Sequence, residues 1–510
     1  MPPDGPRSGR GVHRAIARCP RRRYQGPRCR RRALARGDTT TRAAIVRTWA
    51  AMEAPAEATG TPFRTLPRAP GLPWLGSMVD IARKTNYVGM TELVRRYGAP
   101  LGVHFGKIVV VPTVRPEHAQ HILVESRGVY QKLNEIDGLR LLVGQGLFSS
   151  EGETWTSQRR LMQPHFTPKA VQRYVADMRG AVEQMLQRWS GQTEVEALFE
   201  SMRMAMDVIG RTMFGVPEIG EAGPIGRAIG TALDLASRRL FELFTPPLWI
   251  PTPQNRRFVA AKREVDAFIY DLIGKRRAGT SGSEQRDLLD VLVAATDDES
   301  GRRMSDEQLR DEVMTVFIAG HETTAVTLTW ALALLARHPE VMARVQAEVD
   351  ALDHDVPVLE DIPKLPYTRQ VIDETLRLYP AVWAIPRTAA QDDVLCGYPI
   401  AKGSIVTVMV HELHRQPDVW PDPNRFDPGR FAAGVAQGRQ KSAYMPFGAG
   451  HRICIGIHFA LLELVVALAA VARRYSWRLV APEVPAVGVS TLRPARPVRI
   501  ALAPRRADAR

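Results

Sequence analysis

Phe447-Gly448-Ala449-Gly450-His451-Arg452-Ile453-Cys454-Ile455-Gly456 reads F-x-x-G-x-R-x-C-x-G, and an apolar run from Phe459 to Ala470 follows it. Such a run predicts a helix after Cys454. The thiol then stands at a helix mouth, where unpaired backbone N–H groups favour an anion. The flanking glycines allow close approach of a flat ligand. Arg452 adds positive charge, and both effects are expected to lower the thiol pKa. A lone cysteine is more often a buried structural residue. Five matched positions in this decapeptide argue instead for a ligand thiolate.

Thiolates of this kind serve as axial ligands of haem iron, and three further motifs fit that chemistry. Ala319-Gly320-His321-Glu322-Thr323-Thr324 lies inside the longest helical pattern, Glu374-Thr375-Leu376-Arg377 follows, and Phe426-Asp427-Pro428-Gly429-Arg430-Phe431 precedes the cysteine. Trp155 and Arg159 complete a W-x-x-x-R pattern. Together, and in this order, they resemble the signatures of the cytochrome P-450 superfamily, the haem-thiolate monooxygenases, with Gly429 where that family usually has Glu. The resemblance runs from Phe63 to Pro504.

The resemblance implies a mainly α fold with a small β portion, the cytochrome P-450 fold, in which haem b lies between a long central helix and the Cys-bearing loop and helix. Cys454 is the implied iron ligand. Arg452, Arg159, Arg387 and Trp155 are the implied partners of the haem propionates, and Phe447 is expected to shield the sulfur. Gly320 is expected to let the central helix open locally for dioxygen. Thr323 is implied to orient a proton during oxygen activation, and Glu322 to relay protons from solvent. His321 is not expected to be a ligand. Residue by residue, bonding of a helical Thr to the carbonyl four positions earlier is a known cause of bending. Glu374 and Arg377 are three apart on one helix face; the resemblance makes them a buried pair joined by Arg430.

Net charge is +15 over 510 residues. Residues 1–51 hold fourteen Arg against Asp4 and Asp38, so +12 of it belongs there. The remainder is nearly balanced, and nucleic-acid binding by the globular part is not expected. The segment lacks apolar periodicity and is expected to be a disordered tail. Three explanations stand side by side: a start read too early, with Met52 the true one; an organellar presequence; or a basic tail for anionic lipid or nucleic acid. Residues 52–504 are expected to form one domain, with 505–510 a C-terminal tail. No stretch before residue 100 approaches the roughly 20 apolar residues of a spanning helix, so a soluble, bacterial-type, cytoplasmic monomer without a transmembrane anchor is expected. Four cysteines, two of them in the tail, suggest no disulfide framework.

Val103 to Val111 reads as strand ending at Pro112, 382–411 as strands, and 155–215 as helices broken near Pro164 and Pro168. Thr245 to Pro253 reads as a Pro-rich loop before a helix over 255–277, and 279–285 as a surface loop. Ser305 and Gln308 predict a capping box that opens a helix to Arg337. Another helix covers 365–378.

Family position assigns an apolar pocket to Leu139, Leu141, Leu142, Leu147, Leu243, Phe244, Leu248, Trp249, Phe317, Val382, Trp383, Ile385 and Leu492, with half of them expected to be core. The expected activity is insertion of one oxygen atom from O2 into a hydrophobic small molecule, terpenoid or fatty acid-like. Electrons are expected from NAD(P)H through a ferredoxin and a ferredoxin reductase. The other readings are a peroxide-driven haem-thiolate enzyme, which does not need the Glu322–Thr323 pair, and a non-catalytic haem carrier or sensor.

Overall fold

The computed structural model describes residues 64–71, 76–77, 81, 86–133, 138–216, 223–241, 246–279, 287–295, 301 and 303–505. The expected tail, Met52, Leu243, Phe244, nearly all of the 279–285 loop and residues 506–510 lie outside them. The chain forms two compact units. In the first, Met1–Arg64 with Cys396–Tyr398, the Arg64 N–H donates to the Gly397 carbonyl at 2.9 Å and its guanidinium lies over the Tyr398 ring. The second, Thr65–Leu395 with Pro399–Arg510, carries everything below.

Its long helices are α1 (Asn86–Tyr97), α2 (Gly152–Met162), α3 (Val175–Trp189), α4 (Ala197–Phe214), α5 (Pro224–Phe241), α6 (Pro253–Arg277), α7 (Asp306–Arg337), α8 (Pro339–Asp350), α9 (Pro366–Leu378) and α10 (Ile457–Arg474). The expected capping box opens α7: Gln308 N–H donates to Ser305 Oγ at 3.1 Å, and Ser305 N–H to Gln308 Oε1 at 3.0 Å. From Thr324 to Leu335 every side chain of α7 is buried. A helix apolar on all sides belongs inside a large core, and α4, α6, α9 and α10 pack around it.

The β portion is small. Strands β1 (Val103–Phe105), β2 (Ile108–Thr113), β3 (Tyr130–Gln131), β5 (Ile385–Ala389) and β6 (Ile405–Val408) make one sheet in the order β1-β2-β6-β5-β3. Strands β4 (Glu194–Glu196), β7 (Tyr475–Leu479) and β10 (Arg499–Pro504) make a second, and β8 (Ala486–Gly488) pairs with β9 (Leu492–Pro494).

Three expectations change. Pro112 lies inside β2 rather than ending it, opposite Thr407 of β6 in a parallel register. β1 pairs only with residues 108–110, so the other side of β2 has no ladder at Pro112 and tolerates a missing N–H. Helix α6 starts at Pro253, because Thr252 Oγ1 accepts the Asn255 N–H and proline suits the first helical position. Trp249 is 81% exposed, whereas Phe317 is core, stacked on Phe214 at 4.5 Å.

Glu374 and Arg377 are both fully buried and joined by two hydrogen bonds of 2.6 and 2.8 Å. Arg430 approaches Glu374 at 3.5 Å, and the Asp427 N–H donates to the same carboxylate. Arg377 also donates to the carbonyls of His414, Pro423 and Arg425. His414 Nδ1 donates to the Arg377 carbonyl while its Nε2 accepts the Met445 N–H at 2.9 Å. Burial and the Arg377 charge hold His414 well below the usual imidazole pKa, so the neutral tautomer is kept. One helix face thus helps secure the irregular chain from 414 to 445, along with buried Trp420, Phe426 and Met445.

Helix α7 also clasps the segment before α2. Asp311 accepts the Gln145 N–H at 2.7 Å, and Glu312 Oε2 accepts the Leu147 N–H at 3.0 Å. Glu312 is fully buried; burial first, with the Asp311 charge adding, pushes its carboxyl up to about 8 against the opposing Leu147 hydrogen bond.

Arg377→Leu removes the main partner of the buried Glu374 charge and leaves it Arg430 at 3.5 Å and the Asp427 N–H, which costs up to about 3–5 kcal/mol; denaturant unfolding should show that loss, and an unchanged midpoint would contradict the assignment. The Glu312 carboxyl ionises near 4.5 unfolded and near 8 folded, so the unfolded chain holds fewer protons between these values. Its contribution to stability therefore falls as pH rises through that window and levels off above it. Glu312→Gln should remove this slope, gaining on the order of a few kcal/mol relative to the parent between pH 5 and 8.5.

Candidate active site

Cys454 sits in the turn before α10, and its N–H donates to the Phe447 carbonyl at 2.9 Å, closing the loop on itself. Gly450 (φ 70°) makes this loop possible: a Cβ there would meet the Leu123 carbonyl oxygen at 1.9 Å. Phe447 is partly buried against the main core. Cys454 and Ile453 present accessible surface although the thiol lies deep in the protein, so they line an internal space. The expected low thiol pKa is not what the chain alone produces. Burial pushes the Cys454 thiol up, with the Gly456 N–H and the Arg159 charge opposing. Desolvation outweighs one N–H and one guanidinium; coordination to a metal is what strips such a thiol of its proton.

Four cationic side chains ring this loop. Arg159 donates to the Ile453 carbonyl at 2.9 Å. Arg452 pairs with Glu151, lies 4.0 Å over the Trp155 ring, and keeps Nη1 buried without a partner. The Trp155 ring also meets His451 edge-on at 5.5 Å. Arg387, on β5, reaches only its neighbour's carbonyl, Pro386, at 2.9 Å; burial and the Arg452 charge bring it down to about 10. Arg127 is near enough for its charge to help depress His451. Against this charge Glu151 is the one carboxylate paired with Arg452.

Across α7 the accessible positions are spaced by helical turns. Val316, Ile318, Ala319, Gly320 and Thr323 keep surface while Phe317, His321 and Glu322 are buried, and Ala319 is the most exposed of them. Thr323 Oγ1 donates to the Ala319 carbonyl at 2.6 Å, the expected back-bond. Gly320 also lies at the close approach of α4. A Cβ there would lie 2.5 Å from Ile209 Cδ1, the tip of a side chain on α4, so a larger residue would have to push that side chain aside. Glu322 is buried and accepts from Thr491 Oγ1 at 2.7 Å and Ser490 Oγ at 3.3 Å, with Arg493 at 4.0 Å. The β8–β9 turn is brought there by the Trp330 Nε1–H, which donates to the Leu492 carbonyl at 2.8 Å. His321 is buried on the same helix.

Glu151, Thr491 and Arg493 escaped the sequence reading. A single acid before a helix start is ordinary, and partners more than a hundred residues away leave no local mark.

The donor set fits an iron porphyrin. A thiol in a glycine-shaped loop offers an axial ligand, and a buried guanidinium nitrogen with unmet hydrogen-bonding capacity, beside Arg387 and Arg159, calls for anionic carboxylates such as propionates.

Comparison with known proteins agrees. The sequence profile of the family described as Cytochrome P450 matches residues 66–499. The chain belongs to this family. It is 34% identical over 437 residues to cyclooctat-9-en-7-ol 5-monooxygenase of Streptomyces melanosporofaciens, covering 83% of this chain and 92% of that protein. Pentalenene oxygenase of Streptomyces avermitilis is 32% identical, covering 75% and 84%. The crystal structure of the cytochrome P450DA heme domain superposes with a TM-score of 0.80 at 28% identity, covering 88% of this chain and 99% of that one. This P450 is a monooxygenase with a haem-iron cofactor, and monooxygenases of this family use redox partners and hydrophobic substrates. Among the described residues no helix is long and apolar enough to cross a membrane.

Cys454→Ser should abolish the thiolate-type absorption band of the reduced, CO-bound protein, because a hydroxyl is a poor anion at neutral pH. A retained band would remove Cys454 from its assigned place.

Proposed function

We propose that this P450 oxygenates a terpenoid, with electrons from NAD(P)H delivered by a ferredoxin and its reductase. The observation that carries the reading is the Glu322–Thr323 arrangement on α7, together with similarity to two terpenoid oxygenases over most of the chain. When bound, haem iron with a thiolate ligand activates O2 so that one oxygen atom enters a C–H bond. The residues supply position and protons. Cys454 holds the iron, while Arg452, Arg387 and Arg159 neutralise the propionates. Thr323, tethered to the Ala319 carbonyl, presents its hydroxyl at the accessible face of α7. Glu322 receives protons from solvent on the side of Arg493, whose side chain is 36% exposed and whose charge favours the carboxylate, and the Ser490 and Thr491 hydroxyls hold that carboxylate in place. Val316 and Ala319 offer an apolar surface suited to a hydrocarbon skeleton.

A peroxide-driven enzyme would have no need of this hydroxyl–carboxylate pair, and a haem carrier would need neither. Product formation from terpenes with NADPH, ferredoxin and reductase, run beside hydrogen peroxide alone, separates the three readings. Turnover with peroxide only, or none with either, would overturn the proposal.

Thr323→Ala should leave haem binding and reduction intact but uncouple the reaction. NADPH consumption continues, peroxide release rises, and product per NADPH falls by roughly 10²-fold, the scale of one lost preorganised donor. Unchanged coupling would move the proton path away from Thr323.

A further inference from the structure

Two indole N–H groups bracket the short turn that meets Glu322. Strands β8 and β9 pair with Gly488 opposite Leu492, so Val489–Thr491 is a three-residue turn. On its outgoing side Trp330 Nε1–H of α7 donates to the Leu492 carbonyl at 2.8 Å. On its incoming side Trp383 Nε1–H donates to the Val489 carbonyl at 3.1 Å. The Leu492 N–H adds a bond to the Ala381 carbonyl at 2.9 Å. Ser490 and Thr491, between these fastenings, reach the Glu322 carboxylate. Trp383 is itself held from behind. The His411 N–H donates to the Trp383 carbonyl at 3.2 Å, and the Tyr87 ring meets the indole edge-on at 5.4 Å. Tyr87 OH donates to His411 Nε2 at 3.0 Å, while His411 Nδ1–H donates to Glu412 at 2.8 Å. Arg95 of α1 holds Glu412 through two bonds of 2.9 Å. Burial, with the Arg415 charge adding, brings His411 down to about 4, so the ring is neutral and keeps one donor and one acceptor. Gly488 closes the assembly: a Cβ there would fall 2.3 Å from Tyr87 Cβ and 3.0 Å from Trp383 Nε1.

We propose that Trp383 is a positioning residue for proton delivery: its indole N–H fixes the Val489 carbonyl, and through it the turn from which Ser490 and Thr491 hold the Glu322 carboxylate. This rests on the proton role given to Glu322 above and not on the terpenoid substrate. Size and apolarity alone would make Trp383 a wall residue that any large aromatic could replace. The donor gives it a duty that phenylalanine cannot perform. A turn of three residues has few bonds of its own; the Val489 N–H spans it to the Thr491 carbonyl at 3.0 Å. Its placement therefore depends on what grips its two ends. The Trp330 grip comes from the same helix as Glu322 and follows that helix. The Trp383 grip comes from a different part of the chain, braced through Tyr87 and His411 against α1, and sets the turn relative to the helix. Releasing it lets Thr491 move off a carboxylate that it now meets at 2.7 Å. Preorganised sites lose function on small displacements of this kind.

The test uses the haem-loaded full chain with NADPH, a surrogate ferredoxin and reductase, and cedrol, sclareol or limonene, and measures product per NADPH. Trp383→Phe removes the donor and keeps an aromatic ring. It should lower product per NADPH roughly tenfold, the worth of one buried hydrogen bond, with haem content and the CO-bound spectrum unchanged. Thr491→Val should lower it too, and the double variant should be no worse than Thr491→Val alone, because both act through one contact. A wall residue would behave differently: terpene affinity, read from the shift of the haem band, would change, and the two losses would multiply. Tyr87→Phe removes one hydroxyl behind Trp383 and should move coupling the same way by a smaller factor; it carries the test if Trp383→Phe does not fold. Hydrogen exchange gives a readout without substrate: the Val489 and Leu492 amides should exchange about tenfold faster in Trp383→Phe. Unchanged coupling, unchanged exchange, or losses that multiply overturn the positioning role. Unchanged coupling in Glu322→Gln overturns the proton role of Glu322 and this inference with it. No turnover of any of the three terpenes counts against the terpenoid reading alone, and amide exchange then decides the positioning.

Discussion

The buried ion pair of Glu374 and Arg377 is the constraint on which the catalytic side of this P450 depends. Two charges at 0% exposure are tolerated because each meets the other and further main-chain groups. Arg377 binds three main-chain carbonyls, and Glu374 takes up Asp427 N–H and Arg430. Through His414 the same node holds Met445, two residues before Phe447, whose carbonyl receives the Cys454 N–H. Hydrogen bonds, bridged by the chain from Met445 to Phe447, thus link α9 to the Cys454 backbone. A segment that lacks regular secondary structure cannot rely on its own ladders, so its position is set by this charged node together with the packing of Trp420, Phe426 and Met445.

Around the sulfur the electrostatics are unbalanced in a consistent sense. The thiol is kept neutral by burial, whereas Arg387, Arg452 and Arg159 remain cationic with few carboxylates to meet them. A neutral soft ligand and surplus positive charge suit a metal that takes the proton from the thiol and brings two carboxylates of its own. Arg452 illustrates the arrangement. Glu151 occupies one side of the guanidinium and Trp155 supports its face, which leaves Nη1 pointing away from both with no partner among the protein groups.

Much of this was legible in the sequence because the motifs are local. The Ser305 capping box, the Glu374–Arg377 spacing, the back-bond of Thr323 and the turn before Cys454 each depend on residues within about a helical turn. What escaped depends on tertiary approach. Gly320 reads as a flexible point, and its closeness to the Ile209 side chain of α4 is visible only in the fold. The thiol pKa was expected to fall because Arg452 and the helix mouth are visible in one dimension, whereas burial is not. Trp249 looked like a pocket residue for its size, yet it stands in solvent. Pro112 reads as a strand terminator unless it is known that β1 ends short of it.

Helix α7 shows how one element can meet opposing demands. Its C-terminal half is apolar on all sides and locks into the core through Trp330, stacked on Tyr379 at 3.9 Å. Its N-terminal half carries Arg310, Asp311 and Glu312, buried charges and near-charges that bind the 144–147 segment and, through Arg310, Asp266 of α6. The accessible face lies between these two anchorages, where Thr323 takes the Ala319 carbonyl and Gly320 lets α4 come close. Rigid ends and a locally perturbed middle follow from the same chain of residues. That division allows the middle to present a hydroxyl and a carboxylate in fixed positions while the apolar surface beside them stays free to receive a substrate.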